Sequence, residues 1–201
     1  MERVSIDFSM TSTAMVVEVG GHRSHHIFVP EMGKGAKYKG HRAIEHLVEI
    51  HAYGTSGRGA AFSDREADKL EDAQRLSAMV ADTIARTCVD PRVTFEGFSY
   101  ASKGSSFLDL VVFNSFCKKA IMDRFGCRIA VLAPGTIKKQ YSGKGNNRKP
   151  EMYQAFLERE SGPLRDAVYA LVGDYSPDMK LPKPIDDLVD AVAIAGIVSG
   201  E

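Results

Sequence analysis

Four acidic side chains, distributed from the start to the end of the 201-residue chain, are of the type that binds divalent cations. They are Asp7, Glu96, Asp187 and Asp190. The last two are three residues apart in an otherwise apolar segment, so on a helix they would share a face. Carboxylates are costly to bury unless they are paired or bound to metal. Two Mg²⁺ ions held by such oxygens can activate water and stabilise the leaving oxygen in phosphodiester hydrolysis. A two-ion catalytic centre would therefore explain acids of this kind if they converge in the fold.

Each of these acids also has an ordinary structural explanation. Asp186 and Asp187 would lie in the first turn of a helix, where acidic side chains interact favourably with the macrodipole. Glu96 alone is compatible with a solvated sheet edge, and Asp7 alone with a turn. Asp186 is four residues from Asp190, so either Asp186 or Asp187 could share its face. Spacing alone leaves both questions open.

The elements that must position these acids alternate between strands and helices. Five β-prone runs predict strands at residues 3–8, 14–19, 24–29, 93–98 and 128–132. Apolar spacing predicts helices at residues 64–87, 105–125, 151–172 and 185–198. The first of these helices would begin with a capping box formed by Ser63 and Glu66, and the third would be interrupted near Gly162 and Pro163. This order predicts an α/β fold, a mixed five-stranded sheet with helices on both faces.

Two segments rich in lysine and glycine are candidates for contacts with phosphates. Residues 134–150 are predicted to be a basic segment with flexible glycine and asparagine positions. Its cations are Lys138, Lys139, Lys144, Arg148 and Lys149. Such a density of cations can neutralise phosphates, and a solvated loop is the alternative explanation. Residues 31–42 are predicted to be a loop whose lysines have no motif to support a DNA contact.

The overall composition indicates more about the location of the protein than about its function. The formal net charge is zero, from 26 basic and 26 acidic side chains, so only the positions of the charges can indicate nucleic-acid binding. No apolar stretch is long enough to span a bilayer, and we expect no membrane partner. The three cysteines are odd in number and form no CxxC pair, which favours a reducing cytoplasm over a disulfide framework.

The histidines raise the question of a zinc site. His25 and His26 are adjacent, so in a strand they would point to opposite faces, and a surface strand is the favoured interpretation. His41, His46 and His51 are spaced by five residues, which fits neither one helical face nor one strand face. The sequence therefore predicts no histidine metal site.

Four stretches resemble, in family order, the motifs of the RuvC family of Holliday junction resolvases. They are IDFSMTSTA at 6–14, FEGFSYASKGSS at 95–106, KKQYSGKGNNRK at 138–149 and DLVDAVAIA at 187–195. The third stretch has Lys138, Gly143, Gly145 and Lys149 at the family's spacing. The resemblance brackets nearly the whole chain, and its third and fourth stretches are the most specific.

This resemblance implies a fold, an activity and a set of roles. It implies a single RNase H-like domain over residues 1–201, a homodimer, and Mg²⁺-dependent nicking of branched DNA at four-way junctions. Two ions would be bound per active site, with Mn²⁺ able to replace Mg²⁺. The metal ligands would be Asp7, Glu96, Asp187 and Asp190. Lys138 and Lys149 would contact the scissile region or neighbouring phosphates.

The sequence also departs from the family pattern. Phe8 and Ser9 replace the Pro-Gly that often follows the first aspartate, and residues 31–90 are longer than expected, which implies an insertion. The aromatic residue that wedges into the junction is replaced by Ser99, so Tyr100 becomes the candidate DNA contact. These departures resemble a viral or divergent branch, for which the location would be the host cytoplasm.

Three alternatives remain open on the sequence. The altered wedge position is compatible with a nuclease that cuts flaps, forks or other DNA. A non-catalytic DNA-binding or packaging module is a second alternative, although the complete set of four acids argues against it. An actin-like ATPase shares the first aspartate and its Ser/Thr-rich turn, but the sequence lacks a second glycine-rich phosphate loop.

Overall fold

A six-stranded mixed sheet forms the centre of the fold. The computed structural model describes residues 1–31, 38–56, 61–98 and 104–200. The strands are β1 (Glu2–Asp7), β2 (Thr13–Val19), β3 (His22–Pro30), β4 (Glu49–Tyr53), β5 (Arg92–Glu96) and β6 (Ile129–Leu132). Their order in the sheet is β4-β3-β2-β1-β5-β6. The β1–β2 and β2–β3 pairs are antiparallel, and the other pairs are parallel.

Helices cover both faces of this sheet. They are α1 (Lys39–Ile44), α2 (Phe62–Ala85), α3 (Ser105–Phe125), α4 (Pro134–Ser142), α5 (Lys149–Arg159), α6 (Pro163–Val172) and α7 (Ile185–Ser199). Residues of α2 and α3 share one buried cluster with the sheet, and residues of α4 to α7 share the other. The predicted fold class, a mixed α/β sheet with helices on both faces, is confirmed. Among the described residues, no helix is both long and apolar enough to cross a membrane.

The sheet has one strand more than the five predicted. The additional strand β4 lies at the sheet edge and pairs in parallel with β3. Its sequence EIHAY contains only one buried side chain, that of Tyr53, so it lacks the apolar run that identifies a strand in the sequence. This segment forms a strand because its backbone hydrogen-bonds to β3, which is distant in the sequence.

The basic segment is more ordered than predicted. Residues 134–142 form α4, and α5 begins at Lys149. Pro134 and Pro150 lie in the first turns of these helices, where proline is tolerated because its missing N–H has no helical partner. Both prolines therefore start helices here. The predicted interruption near Gly162 and Pro163 is confirmed as the boundary between α5 and α6.

Two other local features differ from the sequence prediction. The capping box at Ser63 and Glu66 is wrong, because α2 already begins at Phe62 and its N-cap residue is Ala61. The predicted loop at residues 31–42 gives way to α1 from Lys39 onwards. Residues 32–37 lie outside the described residues.

The topology brings the ends of two central strands together beneath α7. The strands β1 and β5 are parallel neighbours, with Ile6 opposite Phe95, so Asp7 and Glu96 end at the same edge. Asp7 pairs with Ala14, which belongs to the core under α7, so its side chain points toward that helix. The helix α7 packs on β1, β2 and β5 and is apolar around most of its circumference. Acidic side chains on this helix are therefore forced into the interior.

Candidate metal centre

A cavity of about 340 Å³ opens where β1 and β5 end against α7. All four predicted acids line it, together with two lysines of the basic segment: Asp7, Glu96, Asp187, Asp190, Lys138 and Lys149. The structure thus brings together residues separated by as many as 183 positions in the chain. Acids from the start, middle and end of the sequence therefore converge on one cavity.

Three of these acids form a tight group. Carboxylate oxygens of Asp7, Glu96 and Asp190 all lie within 4.8 Å of one another. The solvent-exposed fraction is only 9% for Asp7 and 3% for Asp187. Oxygen atoms at this separation can share one hard cation such as Mg²⁺, which takes carboxylate ligands and keeps waters in its other positions.

The electrostatics of the group show how unfavourable it is without a cation. Burial raises the pKa of Asp7 well above its usual value, and the carboxylates of Asp190 and Glu96 raise it further. Burial also raises the pKa values of Glu96 and Asp190. Each rise in pKa reflects the free energy cost of holding a negative charge away from water and close to other negative charges. A bound divalent cation would relieve both the burial penalty and the repulsion.

Asp187, rather than Asp186, lies on the cavity beside Asp190. The ammonium of Lys183 donates a hydrogen bond to Oδ1 of Asp187 and lies 3.0 Å from Oδ2 of Asp186. Within the described part of the chain, no hydrogen bond of normal geometry reaches the buried Oδ2 of Asp187, although the hydroxyl of Ser12 is close enough to lower the pKa of this carboxyl group. A buried carboxylate oxygen without a partner is an unmet acceptor, which a cation could satisfy. This donor set fits a divalent metal.

Lys149 provides a second positive charge in direct contact with the acids, beside that of Lys183. The ammonium of Lys149 forms an ion pair with Asp190 and lies 3.9 Å from Asp186. Burial alone would lower the pKa of Lys149, but the carboxylate of Asp190 more than offsets this and raises it. Lys149 therefore stays protonated and partly neutralises the cavity.

The other predicted DNA contacts have different positions. Lys139 and Lys144 are exposed and lie outside the cavity lining. Arg148 is also exposed and donates to the carbonyl oxygen of Pro177. Tyr100 lies outside the described residues, as does Ser99 at the expected wedge position.

Two aromatic side chains also line the cavity, and the sequence did not predict them. Phe8 and Phe98 line it, one and two residues beyond the acids that end β1 and β5. The ring of Phe98 meets that of Phe107 edge to face at 5.5 Å between centroids. Their closeness in sequence to Asp7 and Glu96 was the signal that could have identified them.

Comparison with solved structures relates this fold to Holliday junction resolvases. RuvC from Thermus thermophilus is 17% identical, with a TM-score of 0.52 over 100% of this chain and 97% of that one. The T. thermophilus RuvC complex with a Holliday junction substrate is 13% identical, with a TM-score of 0.50 over 97% and 90%. The yeast mitochondrial Holliday junction resolvase is 11% identical, with a TM-score of 0.50 over 96% and 75%.

No protein-family model matches the sequence, and no curated protein sequence matches it. At identities this low, structural likeness establishes the fold. The chain has the RNase H-like α/β fold of RuvC, which agrees with the fold implied by the four sequence stretches.

Proposed function

We propose that this chain is a Mg²⁺-dependent endonuclease that resolves four-way DNA junctions by phosphodiester hydrolysis. One observation carries the proposal: acids from β1, β5 and α7 converge in one cavity that also contains Lys138 and Lys149. Acidic and basic side chains so arranged suit a divalent cation and a phosphate diester together. Of the structures with the same fold, one is a complex of RuvC with a Holliday junction substrate and another is a Holliday junction resolvase, which supports the same activity here.

Each group in the cavity has a defined task in this proposal. Asp7, Glu96 and Asp190 hold the cations, and Asp187 supplies the fourth carboxylate. Two Mg²⁺ ions, when bound, lower the pKa of a water and offset negative charge on the phosphate, and Mn²⁺ can replace them. Lys138 and Lys149 position the phosphate through charge-assisted hydrogen bonds. Phe8 and Phe98 limit access of bulk water from their side of the cavity.

The proposed reaction leaves a 5′-phosphate and a 3′-hydroxyl on each cut strand. A junction is resolved only when two strands are cut, and one chain has one such acidic cavity among its described residues. We therefore propose that the active form is a homodimer that presents one cavity to each of two opposing strands. We also propose the cytoplasm, or the cytoplasm of a host for a viral protein, as the location of this reaction.

The direct test is cleavage of defined DNA substrates by the purified protein. A labelled four-way junction, a flap, a fork and a linear duplex of the same sequence should be incubated with Mg²⁺. The proposal predicts paired nicks in the junction that disappear with chelator and return with Mg²⁺ or Mn²⁺. Preferred cutting of the flap or fork would support nuclease activity but would rule out the four-way junction as the main substrate. Junction binding without cleavage under any divalent cation would favour a non-catalytic module.

The exposed lysines of the basic segment should affect DNA binding through charge alone. Removing one lysine that neutralises a phosphate reduces the slope of log affinity against log salt concentration by about 0.9. We expect the double substitution Lys139→Ala and Lys144→Ala to reduce this slope by about 2 for any DNA sequence. Lys119→Ala is the matched control, since this exposed lysine on α3 is paired with Asp123. Fluorescence anisotropy at several salt concentrations measures both, and equal slopes would remove these lysines from the interface.

Lys149 should affect the reaction more than binding. The substitution Lys149→Met keeps most of the apolar stem but removes the ammonium that faces Asp190. A hydrogen bond from a charged group contributes about 1.5–3 kcal/mol, so we expect cleavage at saturating Mg²⁺ to fall roughly 10- to 150-fold. The Mg²⁺ concentration for half-maximal rate should fall as well, because a competing cation has gone. Lys119→Met is the control, since this exposed lysine on α3 is paired with Asp123, and an unchanged rate for Lys149→Met would refute the role of Lys149.

A further inference from the structure

A second group of possible metal ligands lies away from the acidic cavity. It consists of His26 on β3 and of Glu49 and His51 on β4. Parallel pairing sets His26 opposite Glu49 and Phe28 opposite His51. Because side chains two residues apart on a strand share a face, His26, Glu49 and His51 all project from the same side of the sheet. Sequence reasoning missed the group because neither β4 nor its register with β3 was predicted.

This group lies on the opposite face from the acids. His26 pairs with Met15, which pairs with Ile6, and Met15 and Ile6 belong to the core beneath α2 and α3. Asp7, the next residue along β1, points toward α7 instead. The histidine group and the acidic cavity are therefore separated by the sheet itself.

The donor atoms have the separations of a shared coordination sphere. Nδ1 of His26 and Nε2 of His51 are 3.1 Å apart and share a hydrogen bond, which a bound metal would replace with release of its proton. Oε2 of Glu49 is 3.6 Å and 3.7 Å from these two atoms. In a tetrahedral zinc site with bonds of about 2.0–2.1 Å, neighbouring ligand atoms lie about 3.3–3.4 Å apart. The three observed separations bracket this value.

The surroundings fix both rings in ligating orientations. Nε2 of His26 lies 2.9 Å from Oγ of Ser24, an outer partner that directs the opposite ring nitrogen, Nδ1, toward His51. The ring of His51 stacks on Phe28 with centroids 4.7 Å apart. His26 is 3% exposed, so its ring has little freedom to turn away.

Glu49 contributes the carboxylate of the group, and its Oε2 also lies 3.8 Å from the guanidinium of Arg86. A metal ion at the group would therefore share this carboxylate oxygen with Arg86.

We propose that His26, Glu49 and His51 form a structural binding site for a first-row transition metal of the zinc class, separate from the acidic cavity. Two imidazoles and one carboxylate suit zinc or cobalt, whereas Mg²⁺ prefers oxygen ligands alone. The side chain of Glu49 is 61% exposed, which leaves room for water as a fourth ligand. Bound metal would join the edge strand β4 to β3 and stabilise the crossover between them.

Titration with Co²⁺ tests this site apart from the acidic cavity. The protein should carry Asp7→Asn, which weakens the acidic cavity, and should first be stripped with chelator. We expect one Co²⁺ per chain, with the visible absorption of a nitrogen-containing tetrahedral site, and displacement by Zn²⁺. Zn²⁺ should also raise the melting temperature of this protein.

Substitutions identify the ligands in the same background. His51→Gln and Glu49→Gln should each weaken Co²⁺ binding at least tenfold and abolish the rise in melting temperature with Zn²⁺. Glu49 is exposed, so its substitution preserves folding and keeps the test decisive if His51→Gln is unstable. His22→Gln is the matched control, since this exposed histidine lies on β3, the strand of His26, but outside the group. Absence of Co²⁺ binding, or affinity unchanged in both ligand variants, would overturn the proposal.

Discussion

Replacing Asp7 with asparagine should reduce Mg²⁺-dependent nicking of a four-way junction by at least about 1000-fold, which corresponds to about 4 kcal/mol of lost transition-state stabilisation. The substitution preserves the size of the side chain but replaces one accepting carboxylate oxygen with a donating NH2 group and removes a negative charge from the acidic group. Junction affinity should change little, because the lysines that would contact phosphates remain. Single-turnover cleavage with saturating enzyme measures the loss without interference from binding.

The matched control is Asp166→Asn on α6. Its side chain is 69% exposed and paired with Arg165, outside the acidic cavity. The control should cut at the rate of the unmodified protein. Comparable rates for Asp7→Asn and Asp166→Asn would remove Asp7 from the reaction.

The second large effect concerns stability and its dependence on pH. Burial and the carboxylate of Asp186 raise the pKa of Asp187 to about 6, from 3.8 in an unperturbed carboxyl group. The folded protein thus binds this proton more tightly than the unfolded chain does. The resulting stability is fully present below about pH 4 and is lost as the pH rises through about 6.

We therefore expect the metal-free protein to lose about 3 kcal/mol of unfolding free energy from this group between about pH 4 and 7, since a shift of one pKa unit corresponds to 1.36 kcal/mol. Asp187→Asn should remove that part of the pH dependence and stabilise the metal-free protein at pH 7. The ammonium of Lys183 keeps Asp186 as a partner in this variant.

Urea unfolding at several pH values, with chelator and with Mg²⁺, measures this effect. Mg²⁺ should stabilise the unmodified protein near pH 7 and should stabilise Asp187→Asn less, because a ligand is missing. If the two proteins lose stability in parallel as the pH rises, Asp187 does not titrate as the structure indicates.

Local patterns were sufficient to identify most of the sheet and the long helices. Strands such as β2 and β5 contain runs of β-branched and aromatic residues, and the turn at Gly20 and Gly21 marks the hairpin between β2 and β3. The edge strand β4 could not be identified in this way. Only Tyr53 is buried in β4, so the position of β4 depends on pairing with β3, which an intervening segment of the sequence separates from it.

The candidate site was also predictable only in part, because some of its features depend on contacts between distant parts of the sequence. The family resemblance indicated which acids belong together and favoured Asp187, but spacing alone did not distinguish Asp186 from Asp187. The helix α7 is buried around most of its circumference, so no contrast between polar and apolar faces fixes its rotation. Packing against β1 and β2 decides it. The histidine group likewise depends on the β3–β4 register, which spacing within the sequence does not encode.

The most direct test of the central proposal is anomalous diffraction from crystals soaked in Mn²⁺. The proposal predicts an anomalous peak in contact with carboxylate oxygens of Asp7, Glu96 and Asp190, and a second beside Asp187. Crystals of Asp7→Asn should lose or greatly weaken the first peak. If Mn²⁺ leaves this cavity empty while the unmodified protein still cuts junctions, the proposed centre is not the catalytic one.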